Sequence, residues 1–277
     1  MTTTDTVRTR RSPGTARQVL RLTRTEFTLF VRYKTAWMFL ALPLFFALMA
    51  TQQPDDEIVP GFGMGEMTMI SMMGAASLML GIGHASNVFT ARREALVLKR
   101  LRVSGVTQPV VFGGVMGVVA VFSLLAVLLM AGLMLAMPEG SPPRDPLMAL
   151  ASVLLGSVAF TLLGLALTPL ATNSETAQLV AMVPMMILVF ASGGIFSLEF
   201  LPQDVRQYVG LIPSVPPAEL MQAAYTGYDV FGGATGAEEK GYLALWAAAL
   251  PSIGIMLAWI ALLALTVHRF FRWDPRR

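Results

Sequence analysis

The sequence has no cysteine, two histidines and only 13% charged residues in 277 positions. Without cysteine there is neither a disulfide framework nor a thiolate metal site. Soluble domains carry about 25% charged residues, whereas 55% of this chain is hydrophobic. A soluble fold of this length needs a polar shell that so few polar side chains cannot supply, so its surface must face lipid. Lysine is scarce too. The three lysines follow Tyr33, Leu98 and Glu239, so none completes the G-x-x-x-x-G-K-[ST] loop that cradles nucleotide phosphates. No catalytic triad and no His- or Asp-rich metal spacing stands out. The acids Glu66, Glu175 and Glu199 lie at the ends of apolar runs. A proton-coupled transporter or an integral-membrane enzyme, two alternatives for such a chain, would need a polar constellation at mid-membrane. A purely structural partner in a secretion assembly is a further alternative.

What is present is a series of long apolar runs. Six are long enough to cross a bilayer as helices: Ala36–Ala50, Met67–Phe89, Val110–Met137, Leu147–Leu170, Ala177–Leu198 and Tyr242–Val267. The first is short and extends back through Val31 and Tyr33, with Arg32 and Lys34 reaching to the interface. An open chain in lipid must satisfy its backbone internally, which leaves the α-helix. The expected fold is therefore an all-α polytopic membrane protein with six transmembrane helices. Its organisation reads as a disordered tail over 1–15, an amphipathic interfacial helix over 16–34, a membrane domain over 35–272 and a short tail over 273–277. The N-terminal block is too rich in arginine to be a signal peptide. Between Ala16 and Lys34, the apolar Val19, Leu20, Leu22, Phe27, Leu29, Phe30 and Val31 mix with Arg17, Arg21, Arg24 and Arg32, which share a broad polar side. That pattern suits a helix lying on an anionic leaflet.

Of the 20 Lys and Arg residues, 17 lie before the first run, after the second and after the sixth. The positive-inside rule then puts both termini in the cytoplasm and the acidic Asp55–Glu57 outside. Charge in three short blocks serves topology and excludes nucleic acid as a partner. The expected location is the plasma (inner) membrane.

The loop after the second run, Ala91–Gly105, reads ARREALVLKRLRVSG. Ala95, Leu98 and Leu101 form an apolar stripe among Arg92, Arg93, Glu94, Lys99, Arg100 and Arg102, which predicts a short charged helix closed by Ser104 and Gly105. On charge alone an ordinary positive-inside loop is the better reading. Glu199–Gly241 is far longer than a hairpin needs. Pro216 and Pro217 are placed to start a helix there and Gly227 to stop it. His84 suits packing better than a proton relay. The methionines Met64, Met67, Met69, Met72, Met73 and Met79 suit gap-filling better than a promiscuous cavity. Gly113, Gly114 and Gly117, like Gly74 to Ser77, permit close helix approach, and Pro43 and Pro184 predict kinks.

Two stretches resemble the type-2 ABC exporter permeases, the family of drug, lipid and polysaccharide exporters. In that family's cytoplasmic coupling segment an acid is followed by Gly-Thr and then a Leu-basic-x-Leu run. Here Glu94, Leu98, Lys99, Arg100 and Leu101 match, while Leu96 and Val97 replace Gly-Thr. GGIFSLEFLP, Gly193–Pro202, is similar to the family's pattern at the outer end of the fifth span through Phe196, Leu198, Glu199, Leu201 and Pro202, with Ser197 in place of proline. Pro213 and the Pro216–Pro217 pair are similar to the elements after it. The resemblance spans Gln18 to Arg272.

The resemblance implies a second permease copy, with a homodimer expected, and two copies of a separate ATP-binding subunit that hold ATP and Mg. This chain itself carries no cofactor. It implies that Arg92, Arg93, Glu94, Leu98, Lys99, Arg100 and Leu101 couple to that ATPase. It also implies outer re-entrant helices between spans five and six, with Phe196, Glu199, Pro202, Pro213 and Pro217 at an outer gate. The family's cavity runs along the first, second and fifth spans, which nominates Phe45, Met69, Met73, Met186 and Phe190 as pathway residues. The cargo expected is a small amphipathic or apolar compound (drug, antibiotic or lipid-like) moved outward through a lipid-embedded body.

Overall fold

The computed structural model describes residues 14–32, 41, 45, 48–54, 56–137, 140–194, 198 and 201–271. In chain order the elements are α1 (Thr15–Arg32), a small hairpin of β1 (Glu57–Val59) and β2 (Phe62–Gly63), then α2 (Met64–Glu94), α3 (Val97–Val103), α4 (Gln108–Leu135), α5 (Pro146–Leu167), α6 (Ser174–Ala191), α7 (Gln203–Val209), α8 (Val215–Thr226) and α9 (Tyr242–Phe270). Five of these, α2, α4, α5, α6 and α9, are long and apolar enough to cross a membrane. This is an all-α polytopic membrane architecture. Of the expected first span only residues 41, 45 and 48–50 are described, and these are helical; the rest of Ala36–Ala50 lies outside the described residues.

α2 is the central post, with 72% of its most apolar window buried against 22% for α6 and for α9. Small residues let its neighbours approach. A Cβ added at Gly164 of α5 would lie 2.7 Å from the Gly81 carbonyl oxygen and 2.8 Å from that of Ile82. Those carbonyls belong to a π-helical turn, Leu80–His84, inside α2. Nearer the other end, Gly156 meets Ser77, and Gly74 abuts Pro217 and Ala218 at the start of α8. The methionine cluster fills this core: Met67, Met69, Met72 and Met73 are buried with Met130, Met134, Met148 and Met221. That is the packing reading of those residues.

Several boundaries differ from expectation. α2 runs five residues past Phe89, so Ala91–Glu94 finish a span instead of opening a loop. α6 stops at Ala191, well short of Leu198, because Gly193 takes the left-handed conformation (φ 77°) and turns the chain. α8 matches expectation closely: Pro216 and Pro217 occupy its first turn, and Gly227 (φ 77°) closes it as a left-handed C-cap.

The amphipathic α1 does not reserve its apolar face for lipid. Phe27 and Phe30 pack on Val118, Val119 and Phe122 of α4 and on Leu80 of α2, with the Phe30 and Phe122 rings 4.5 Å apart edge to face. Gly113, Gly114 and Gly117 form the bed for α1, since side chains there would strike Val19, Leu22 and Thr23. His84 closes the same cluster, its ring 4.5 Å from Phe30.

Candidate functional site: the basic end of the bundle

α2 carries three consecutive charged residues at its end, and each reaches a different element. Arg92 pairs with Glu26 of α1, a carboxylate only 7% exposed. Arg93 is buried and points the other way, donating from Nη1 to the Thr168 carbonyl at 3.1 Å and from Nη2 to the Ala171 carbonyl at 2.6 Å. These carbonyls lie where α5 ends through a single 3-10 turn, Thr168–Leu170, and that of Thr168 also accepts the Ala171 N–H at 3.3 Å. A helix C-terminus carries partial negative charge and favours a cation. Glu94 accepts the Ser174 backbone N–H at 3.0 Å, the first turn of α6, where partial positive charge favours an anion. Asn173 caps the same turn by accepting the Thr176 N–H at 2.8 Å. Adjacent residues of opposite sign thus fit the opposite polarities of two helix ends joined by a three-residue link.

Past Glu94 the chain turns sharply. Leu96 adopts the left-handed conformation (φ 56°), the only non-glycine among the described residues to do so. Such a conformation is costly for leucine, and the burial of the adjoining α3 holds it in place. α3 starts at the next residue, and its Leu98 is fully buried among Ala85, Phe89, Val111, Phe112 and Leu165. Leu101 packs half-buried on the same cluster. Phe89, Phe112 and Phe271 stack edge to face behind it, with centroids 4.9 to 5.9 Å apart. Ala95 sits exposed in the turn, so the expected three-residue stripe reduces to Leu98 and Leu101. The outward side of α3 carries exposed Lys99, Arg100 and Arg102. Beside them are two exposed apolar side chains, Leu96 at 42% and Val103 at 83%.

The structure therefore divides the predicted coupling residues. Lys99 and Arg100 lie on a free surface, Leu98 and Leu101 root that surface in the core, and Arg92, Arg93 and Glu94 tie it to α1, α5 and α6. Sequence reasoning missed Glu26, 66 residues from its partner. Its position on the polar-to-apolar border of α1 was the available signal. The predicted pathway residues are not brought onto one surface. Phe45, Met186 and Phe190 are exposed, whereas Met69 and Met73 are fully buried in the core. Of the predicted gate residues, Pro202 is exposed at the start of α7, and Pro213 and Pro217 are buried around the start of α8; Phe196 and Glu199 lie outside the described residues.

Residues 43–267 match the family model described as ABC-2 family transporter protein. The chain belongs to that family. No curated protein matches it by sequence. As an ABC-2 member the chain is a multi-pass transport subunit, a permease of an ABC transporter, and the family works with an ATP-binding subunit. The two motif stretches that carry the resemblance, Glu94–Leu101 and Gly193–Pro202, both fall inside the matched segment.

Proposed function

We propose that this ABC-2 permease exports small amphipathic or apolar compounds of drug, antibiotic or lipid-like character, driven by a separate ATPase that docks on α3. The observation that carries this reading is the contrast within α3 itself. Its root, Leu98, is sealed in the core, while its tip offers three basic side chains around an apolar Val103 that is 83% exposed. A lipid-facing surface has no use for Lys99, Arg100 and Arg102, and a water-facing one gains nothing from Val103 and Leu96. Both suit a groove in a soluble partner.

Motion delivered to α3 reaches the transport helices through the fixed contacts of Arg92, Arg93 and Glu94. It moves α1, α5 and α6 as packed bodies about their interfaces. The bound nucleotide and Mg belong to the partner, in two copies below two permeases. The apolar face of α6, with Leu179, Met182, Val183, Met186, Ile187 and Phe190 exposed, supports a second copy of this chain there. Met186 and Phe190, with Phe45, would line the pathway between copies, backed by buried Met69 and Met73. The basic end lies in the cytoplasm with both termini, at the plasma membrane. α8 is a re-entrant helix from the outer face: its start abuts Gly74, ten residues and so about 15 Å along α2 from Met64, roughly half the hydrocarbon thickness.

Two variants test the coupling scheme. Reversing charge at the tip, Lys99→Glu with Arg100→Glu, should abolish co-purification of the ATPase. Glu94→Arg should preserve co-purification but lose ATP-driven export, because it repels the first turn of α6 without touching the tip. Export unchanged in both would refute the assignment.

A further inference from the structure

At the far end of the bundle a cavity of about 50 Å³ opens between α2, α8 and the glycine-rich loop after α8. Its wall combines Thr68 and Ser71 of α2, Glu219 and Gln222 of α8, and the backbone of Gly232 and Gly233. The polar groups are already oriented. Gln222 donates to the Ser71 hydroxyl at 2.7 Å, and Ser71 in turn donates to the Met67 carbonyl at 2.7 Å. Glu219 accepts the Gly232 N–H through Oε1 at 3.1 Å and the Ser252 hydroxyl through Oε2 at 2.8 Å.

Among the described residues no basic side chain lies within ion-pair distance of Glu219. Arg206, which also borders the cavity, donates through Nη2 to the Leu201 carbonyl at 3.3 Å. A carboxylate offers about four acceptor sites, and the two bonds to Glu219 leave room for more. Two acids on the loops at this end do have counter-charges: Glu239 pairs with Arg144, and Asp229 with Lys240.

We propose that this cavity is a subsite for the protonated primary amine of an amphipathic cargo, with Glu219 as its counter-charge and Gln222 and Thr68 as neutral partners. Size sets the class of ligand. A water needs about 10 to 15 Å³ of such space, so the cavity takes an ammonium head group and its first water, not a whole drug molecule. Ile58, Met64 and Val230, which also line it, would receive the adjoining apolar carbons. This names the head-group chemistry of the cargo and so rests on the export reading above.

The test uses a matched pair of fluorescent probes, dansylcadaverine and its N-acetyl derivative, which differ in one positive charge. Each is titrated by anisotropy into the full-length permease in nanodiscs, without ATPase or nucleotide, against empty nanodiscs. The wild type should bind the amine at least about tenfold more tightly than the amide, the scale of one charged hydrogen bond. Glu219→Gln should remove that preference and leave amide binding unchanged. Equal affinity of the wild type for the two probes would overturn the proposal without any variant. So would an amine preference that survives Glu219→Gln, or a parallel loss of both probes in a variant with unaltered thermal unfolding. Export is read separately with the ATPase. Amine binding without amine export would refute the transport reading and leave the subsite standing.

Discussion

At the basic end, Arg92, Arg93 and Glu94 leave α2 for three different elements, whereas at the far end Arg144 pairs with Glu239 and Lys240 with Asp229 across loops. In the first set Arg93 and Glu26 are buried, Arg92 is half-buried and Glu94 is exposed, and Arg93 and Glu94 use the backbone polarity of helix ends. The second set is partly exposed, with Arg144 and Glu239 at 51% and 60%. Charges that bind separate helices into one unit can carry motion between them. Charges paired at the surface of the outer loops stabilise those loops and little else. Asp145 is the exception at the far end. It is buried, accepts the Leu147 and Met148 N–H groups as the N-cap of α5, and accepts Trp246 Nε1–H at 2.7 Å, so it pins α5 to α9.

The sharpest way to break this contrast is Glu26→Ala. It leaves Arg92 in a poorly hydrated site without its counter-charge, and the expected loss is about 3 kcal/mol, read from thermal unfolding in detergent. Removing both partners, Glu26→Ala with Arg92→Met, should recover most of it. Next in size, Arg93→Met removes a buried cation's bonds to the Thr168 and Ala171 carbonyls, leaving Thr168 only its bond from the Ala171 N–H, at a cost of about 2 kcal/mol, and should reduce export. Asp145→Ala should cost about 1 to 2 kcal/mol by loss of the cap and loosen α9. Smallest of all, Arg144→Ala should change stability by less than about 1 kcal/mol. A larger effect at Arg144 than at Glu26 would invert the comparison.

Five of the six expected spans were legible because apolar runs of spanning length have a single solution in lipid for an open chain. So was α8, where two prolines and a glycine mark a start and a stop. The turn at Leu96 was not legible. Local signals assign left-handed backbone to glycine or asparagine, and here a leucine takes it because Leu98 must reach the core. A loop opening at Ala91 is therefore the natural local reading, although Arg92–Glu94 are the last turn of α2. Long-range pairs were invisible for a similar reason: nothing in a local window connects Glu26 to Arg92, or Glu94 to Ser174. The glycines of α4 announced close approach but not the partner, which proved to be α1. Glu219 was passed over because a single acid in a semi-apolar connection carries no periodic signal. Only the fold shows that no basic side chain among the described residues pairs with it.

The central claim, that α3 is the docking lever for an ATPase on the cytoplasmic side, has a direct test in a chain without native cysteine. A cysteine placed at Val103 should cross-link to the ATP-binding subunit in membranes, with a yield that changes on nucleotide trapping, and should resist membrane-impermeant maleimide in intact cells. A cysteine at Asp56 should show the opposite maleimide pattern. Labelling of position 103 from outside, with no cross-link to the ATPase, would contradict the account.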